Sequence, residues 1–278
     1  MSDVTKRADA PKEVTLVGQD APSWLLDAAK DDQSLVGTAK LKLLARMKRV
    51  QDQGKKGKEL CARHGVGSLL IMPDEICLAK STEVVQFVPL YFFEEFTSQG
   101  NIKDKGGKFI REQTFDMKSD LAAAAQDPER RTFQYQGGDG SNYEGRNVHH
   151  LCFFSVIYGN HPARGSIFVL SFEKGEFTAG QKFISQLHAR RAGASPMPLW
   201  SQVWGLTPIH RSREFEWEGA DTVPVEGLMH IAEDEVASFK LMHETAKADH
   251  AAKAFRVQRD DEGEDGADTS GDDPSVKL

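Results

Sequence analysis

The chain has 278 residues, enough for one large domain or two small ones and for a substantial buried core. No stretch approaches the ~20 apolar residues that a membrane-spanning helix needs, which excludes a helical membrane protein. Three scattered cysteines, Cys61, Cys77 and Cys152, exclude a disulfide framework and fit a reducing compartment. The first thirteen residues lack the apolar run of a signal peptide, so a cytoplasmic protein is expected. The net charge of −7 is unevenly placed. Eight of the 42 acidic residues (Asp260, Asp261, Glu262, Glu264, Asp265, Asp268, Asp272 and Asp273) lie in the tail. Only Lys277 of the 35 basic residues follows Asp260, so the chain before it is neutral by formal count.

Residues 1–36 are polar with scattered apolar positions and are expected to form a mobile arm. Residues 38–50 (TAKLKLLARMKRV) fit a short basic amphipathic helix, with a strand through LKLL nearly as good. A flexible QGKKGKE is expected to follow. Between Lys40 and Arg63 nine basic residues face only Asp52 and Glu59, the one strongly cationic region of the body. Residues 66–72 and 75–79 read as two short strands around a turn at Pro73-Asp74.

The most apolar and aromatic run is residues 84–96, VVQFVPLYFFEEF, whose β-branched and aromatic residues favour a strand. With period two, Val85, Phe87, Pro89, Tyr91 and Phe93 share one face, and Val84, Val88, Leu90 and Phe92 the other. Pro89 cannot donate a ladder hydrogen bond, which predicts a bulge or an edge there. Residues 98–147 form a polar insertion of balanced charge, expected to be a surface excursion or flap. A second β-rich block follows: HHLCFFSVIYG, a loop at Asn160-His161-Pro162, and GSIFVLSF. Residues 175–191 suit a helix with Thr178 as its cap. Residues 199–209 and 214–218 read as a closing pair of strands. Residues 227–257 carry the longest helical pattern, with Leu228, Ala232, Val236, Phe239, Met242 and Ala246 on one face. The Gly-rich acidic tail, residues 258–278, cannot bury apolar surface and is expected to be disordered.

Enzyme motifs are absent: there is no GxxxxGK[ST], GxGxxG after a strand, HExxH or GxSxG. Glu173-Lys174 gives a faint carboxylate–lysine pair of the kind used by metal-dependent nucleases. Cys61-x-x-His64 and His149-His150-x-Cys152 contain zinc-ligand types but no CxxC pair, and Cys152 reads better as a small buried hydrophobe. His188, Arg190 and Arg191 read as surface residues or phosphate contacts at a helix end. No metal or cofactor is expected.

A basic LKLL-type segment, a Gly-bounded strand pair, the aromatic VPLYFF strand, a polar insertion, SIFVLSF, the TAGQKFISQL helix and PLWSQVWGLTP occur in that order. Together with the basic strip and acidic tail, this order resembles phage-encoded single-stranded DNA-binding proteins of oligonucleotide-binding-fold type, over roughly residues 38–226 and the tail. The tail ends in DDPSVKL, without the terminal aromatic that many such tails carry. The resemblance implies a mainly β protein with helices (α+β). It would have an oligonucleotide-binding-like β-barrel at 37–226, an insertion at 98–147, a C-terminal helix at 227–257 and the tail. It further implies a non-catalytic role in phage DNA replication or recombination, with single-stranded DNA as partner and replication proteins recruited by the tail.

Binding of that kind combines phosphate-neutralising cations with aromatic faces on which bases stack. The expected phosphate contacts are Lys40, Lys42, Arg46, Lys48, Arg49, Lys55, Lys56, Lys58 and Arg63. The expected stacking residues are Tyr91, Phe93, Trp200, Trp204 and Trp217, with Arg211 and Arg213 beside the last. A mobile polyanionic tail competes for the same groove or recruits basic partners. The alternatives are an assembly protein that uses the aromatic strand and C-terminal helix as interfaces, and a metal-dependent nuclease built on Glu173 and Lys174.

Overall fold

The computed structural model describes residues 42–52, 54–80, 82–102, 107–136, 140–212 and 216–257. The predicted N-terminal arm and the acidic tail therefore lie outside the described residues, as do Lys40 and Arg213. The chain is mainly β with helices. Strands β1 (Lys42–Leu44) and β2 (Arg46–Arg49) replace the helix drawn through residues 38–50, and the supposedly flexible QGKKGKE lies, from Gly54 onward, in helix α1 (Gly54–His64). Strands β3 (Leu69–Met72) and β4 (Ile76–Ala79) flank the expected turn.

Strand β5 (Val85–Ile102) extends the aromatic run well into the insertion. From Phe87 to Gln99 it pairs with the long β8 (Asn142–Ile157). The register slips between Pro89 and Tyr91, so the bulge falls where the missing N–H predicted it. One extra residue exchanges the faces beyond it. Phe87 and Phe92 consequently join one core, while Val88, Leu90 and Phe93 join the other. The single-face reading of Phe87 with Phe93 fails for this reason.

The remaining strands are β6 (Gly107–Thr114), β7 (Thr132–Gln136), β9 (Ile167–Glu173), β12 (Trp204–Ser212) and β13 (Glu216–Pro224). The sheet order is β13-β12-β5-β8-β9-β2-β3-β4, with β6 added to β5 and β7 to β8. Two short strands, β10 (Arg191–Ala192) and β11 (Ser195–Pro196), pair separately, and β1 pairs in parallel with the terminal β14 (Phe255–Val257). Among the described residues the path does not close into a barrel. Instead, Gln51 brings β13 round to the segment after β2. Its side-chain amide donates to Glu218 O at 2.5 Å and accepts from Glu218 N–H at 2.9 Å. A side chain makes this junction in place of a strand ladder.

Helix α2 (Asp120–Gln126), capped by Ser119, lies within the insertion and buries Leu121, Ala122 and Ala125 against Phe96. Helix α3 (Phe177–Ala189) covers one sheet face by inserting Phe183 and Leu187 among Phe87, Phe153, Phe168, Phe172 and Trp204. Its N-cap is Glu176 rather than Thr178. Helix α4 (Val236–Ala251) covers the other face through Phe239 and Ala246. It begins nine residues later than the pattern suggested, and its last residues give way to β14. Each fully buried large side chain in these layers contributes on the order of 1.5–3 kcal/mol. β5 is a central strand, and α4 packs on it through Phe239 and Ala246 while leaving Val236 and Leu241 exposed.

Candidate nucleic-acid interface

The sheet partitions the expected cationic strip. Lys42 lies on β1. On β2, Arg46 Nη2 reaches Glu173 at 3.3 Å, and Arg49 Nη2 donates to Ser171 O at 3.1 Å. Burial lowers the Arg49 pKa, with Glu176 opposing it. Lys48 is half-buried on the same strand. Arg46 and Arg49 are therefore part of the packed structure. Lys55, Lys56 and Lys58 on α1 are exposed, as is Arg63, which pairs with Glu75 at 2.5 Å. Arg190, expected at the surface, is buried, with its guanidinium 3.7 Å from the Trp204 ring centre and donating to Val203 O and Met229 O.

The expected stacking aromatics are largely committed elsewhere. Phe93 and Trp204 are 3% and 2% exposed, which removes both as platforms for a base. Phe93 sits among Phe115, Phe154, His250 and Phe255, and Trp204 meets Phe183 edge-on at 5.1 Å. Tyr91 Oη lies 3.3 Å from His250 Nδ1, and Trp200 packs half-buried on the α4 side. Trp217 Nε1 donates to Glu176 Oε1 at 2.8 Å, the oxygen that also accepts from Arg211 Nε at 2.8 Å. Burial thus removes Phe93 and Trp204, whereas Tyr91, Trp200 and Trp217 are half-buried, each in contact with neighbours inside the fold.

A further set of half-buried aromatic faces lies on the insertion, where β6, β5, β8 and β7 lie side by side as a four-stranded flap. Strand β7, TFQYQ, alternates, placing Phe133 and Tyr135 on one face. Tyr135 is opposite Tyr143 in register, and Phe133 is opposite Gly145. Ring centres are 5.9 Å apart from Phe133 to Tyr135 and 5.8 Å apart from Tyr135 to Tyr143. Gly145 is required beneath this ladder, because a Cβ there would lie 2.3 Å from the Phe133 ring and 2.9 Å from Gln99 O. On β6 the register passes from Ser98↔Glu112 to Gln99↔Ile110, leaving Arg111 as the bulged residue. Its guanidinium carbon lies 4.5 Å from the Tyr135 ring centre and 5.5 Å from that of Phe133. The three rings are half-buried and Arg111 is exposed. Arg131 is exposed one alternation before Phe133. Sequence reading passed over all of these residues, although TFQYQ and NYEG carry the period-two aromatic signal. The adjacent turn-rich QGGDGS masked it.

At the root of the flap the two faces carry different polar groups. On one, His149 stacks on Phe96 at 4.6 Å, lies 4.8 Å from the Phe177 ring, and meets Glu94 Oε2 at 2.6 Å. On the other, His150 Nδ1 meets Glu173 at 2.5 Å, and its Nε2 lies 2.8 Å from Thr97 Oγ1. Gln113 donates to Glu95 at 2.6 Å beside the buried thiol of Cys152. Burial lowers the His150 pKa. Burial pushes the Glu173 carboxyl up, but His150 and Arg46 against it hold it well below the usual range. An ionised Glu173 accepts from Nδ1–H, so Nε2 is the acceptor for the Thr97 hydroxyl. This hydroxyl–imidazole–carboxylate series has the connectivity of a nucleophilic triad. Thr97 and His150 are nevertheless 0% exposed, so it serves as a lock across β5, β8, β9 and β2.

Glu173 is thereby engaged, and Lys174 Nζ donates to Gln99 Oε1 at 3.1 Å. Among the described residues no three His, Cys, Asp or Glu side chains are grouped to hold a metal ion. Burial pushes the Cys152 thiol up to about 12, as suits a core residue. Among the described residues no helix is long and apolar enough to cross a membrane. No protein family, curated protein or solved structure matches the chain.

Proposed function

We propose that the protein binds single-stranded DNA without strong sequence preference, and that the flap supplies its base-stacking face. The observation that carries this reading is the half-exposed Phe133–Tyr135–Tyr143 ladder with Arg111 laid over it. Aromatic rings on a sheet surface, with cations beside them, stack unpaired bases of any identity at about 1–3 kcal/mol per base. Arg131 on the flap and Lys55, Lys56 and Lys58 on α1 are exposed cations suited to phosphate contacts. A sheet face used in this way is the mode of oligonucleotide-binding folds and does not need a closed barrel. The acidic tail competes for the same cations or recruits replication and recombination partners, in keeping with the phage setting that the sequence order implies.

Fluorescence anisotropy of a labelled oligo-dT at two salt concentrations, with duplex DNA and oligo-U as competitors, tests the proposal. Salt-sensitive binding that duplex fails to displace, weakened about tenfold or more by Tyr135→Ala, is expected. Absence of binding at low salt, even after removal of residues 260–278, would overturn it. Displacement by oligo-U as effective as that by oligo-dT would reassign the ligand to RNA as well.

A further inference from the structure

We propose that Arg111 and Tyr135 form a clamp that takes one unpaired base between the guanidinium plane and the phenol ring; this rests on the single-strand reading above. Three observations converge on the pair. The β6 bulge has no pairing partner for Arg111 on β5, and such bulges re-aim a side chain. The re-aimed guanidinium lies over two rings at once, nearest Tyr135 at 4.5 Å. The ring side of the clamp is braced: Tyr143 backs Tyr135 at 5.8 Å, and Phe133 is seated over Gly145 with no room for a Cβ beneath it.

The two halves of the pair therefore differ in freedom. Tyr135 is held by its neighbours on a strand ladder, whereas Arg111 is exposed and reaches the ring through a long aliphatic stem. A stacked base needs about 3.4 Å on each side, so the guanidinium must withdraw from 4.5 Å to about 7 Å from the ring. Rotation of the exposed Arg111 side chain supplies that movement without disturbing the sheet. In the free protein Arg111 fills the space that the base will take, which keeps the ring face from collapsing onto other groups. Arginine suits this role because its guanidinium is planar and stacks on π faces, whereas a lysine ammonium is a compact point charge. The clamp grips base faces and leaves base edges unread. Its ligand is any unpaired nucleobase, and a duplex, whose base faces are already stacked, is excluded.

The test compares wild type, Arg111→Lys, Arg111→Ala and Tyr135→Phe in the full chain, titrated into labelled oligo-dT and into an oligonucleotide of the same length made only of abasic sites. Circular dichroism confirms folding, which an exposed position should tolerate. If Arg111 clamps a base, Arg111→Lys loses about as much affinity for oligo-dT as Arg111→Ala, near tenfold. Tyr135→Phe keeps wild-type affinity, and all variants bind the abasic strand equally. If Arg111→Lys binds oligo-dT as wild type does while Arg111→Ala weakens both strands, Arg111 is a phosphate contact and the clamp is overturned, with the single-strand reading intact. Wild-type affinity in Arg111→Ala overturns the clamp alone as well. Failure to bind oligo-dT at low salt, in wild type and also after removal of residues 260–278, overturns the clamp together with the function on which it rests.

Discussion

Strands β5 and β8 run through two regions that use the same residue types to opposite ends. In the body their side chains are covered on both sides, by α3 over Phe87 and Phe153 and by α4 over Val88 and Phe154. Beyond residues 96 and 149 the same two strands acquire β6 and β7 as neighbours, and Phe133, Tyr135 and Tyr143 on this extension are half-exposed. Arginine follows the same division. Arg46, Arg49 and Arg190 are consumed by carboxylates and carbonyls inside, whereas Arg111 lies over rings at the surface. An aromatic beside an arginine is thus no signature of binding by itself. Coverage of the face by a helix decides the role.

The sharpest way to break the comparison is to truncate an aromatic in each region. Phe153→Ala in the body should cost about 3–5 kcal/mol of unfolding free energy, because it empties a site with 0% exposure beside Phe92, Phe172 and Phe183. Tyr143→Ala on the flap should cost under about 1 kcal/mol, and urea unfolding measures both. Equal losses would mean that the flap is core rather than surface.

A smaller effect, about 1–3 kcal/mol, is expected for Gly145→Ala, whose added methyl meets the Phe133 ring and a backbone carbonyl. Because the ladder must shift, oligo-dT affinity should fall with stability, and anisotropy alongside urea unfolding would show the two moving together. Unchanged affinity would detach the ladder from DNA binding.

The smallest effect is a pH slope from the root of the flap. Folding lowers the His150 pKa below its ordinary 6.5, so the unfolded chain binds more protons as pH falls through that value. Stability should therefore be full above about pH 7 and decline on acidification below 6.5, at no more than about 1.4 kcal/mol per pH unit for this group. His150→Gln should flatten that part of the profile in thermal melts at pH 5 to 8. An unchanged slope would remove His150 as its source. The depressed Glu173 carboxyl adds a second loss only at lower pH, below its ordinary 4.5.

Much of the β framework was legible because its signals are local. The run around Phe87 to Phe96, the block from His150 to Ile157, the turn at Pro73-Asp74 and the bulge at Pro89 each follow from side-chain shape and a missing donor. The site was far less legible. Phe93 and Trp204 look no different in sequence from Tyr135 and Tyr143, and by periodicity residues 38–50 fit a helix, with a strand nearly as good. The choice between strand and helix for β2 depends on β3 and β9, its partners from distant parts of the chain.

What the sequence by itself determined is composition and local preference: a mainly β framework, a polar insertion between two aromatic strands, and an acidic tail after a neutral body. Only the tertiary structure decided which aromatics are covered, which arginines are paired, and that a glycine and a one-residue bulge bring Arg111 over Tyr135. The physical reason is that burial and pairing belong to contacts between segments tens of residues apart. A side chain's type limits what it can do, but its neighbours in space settle which of those things it does.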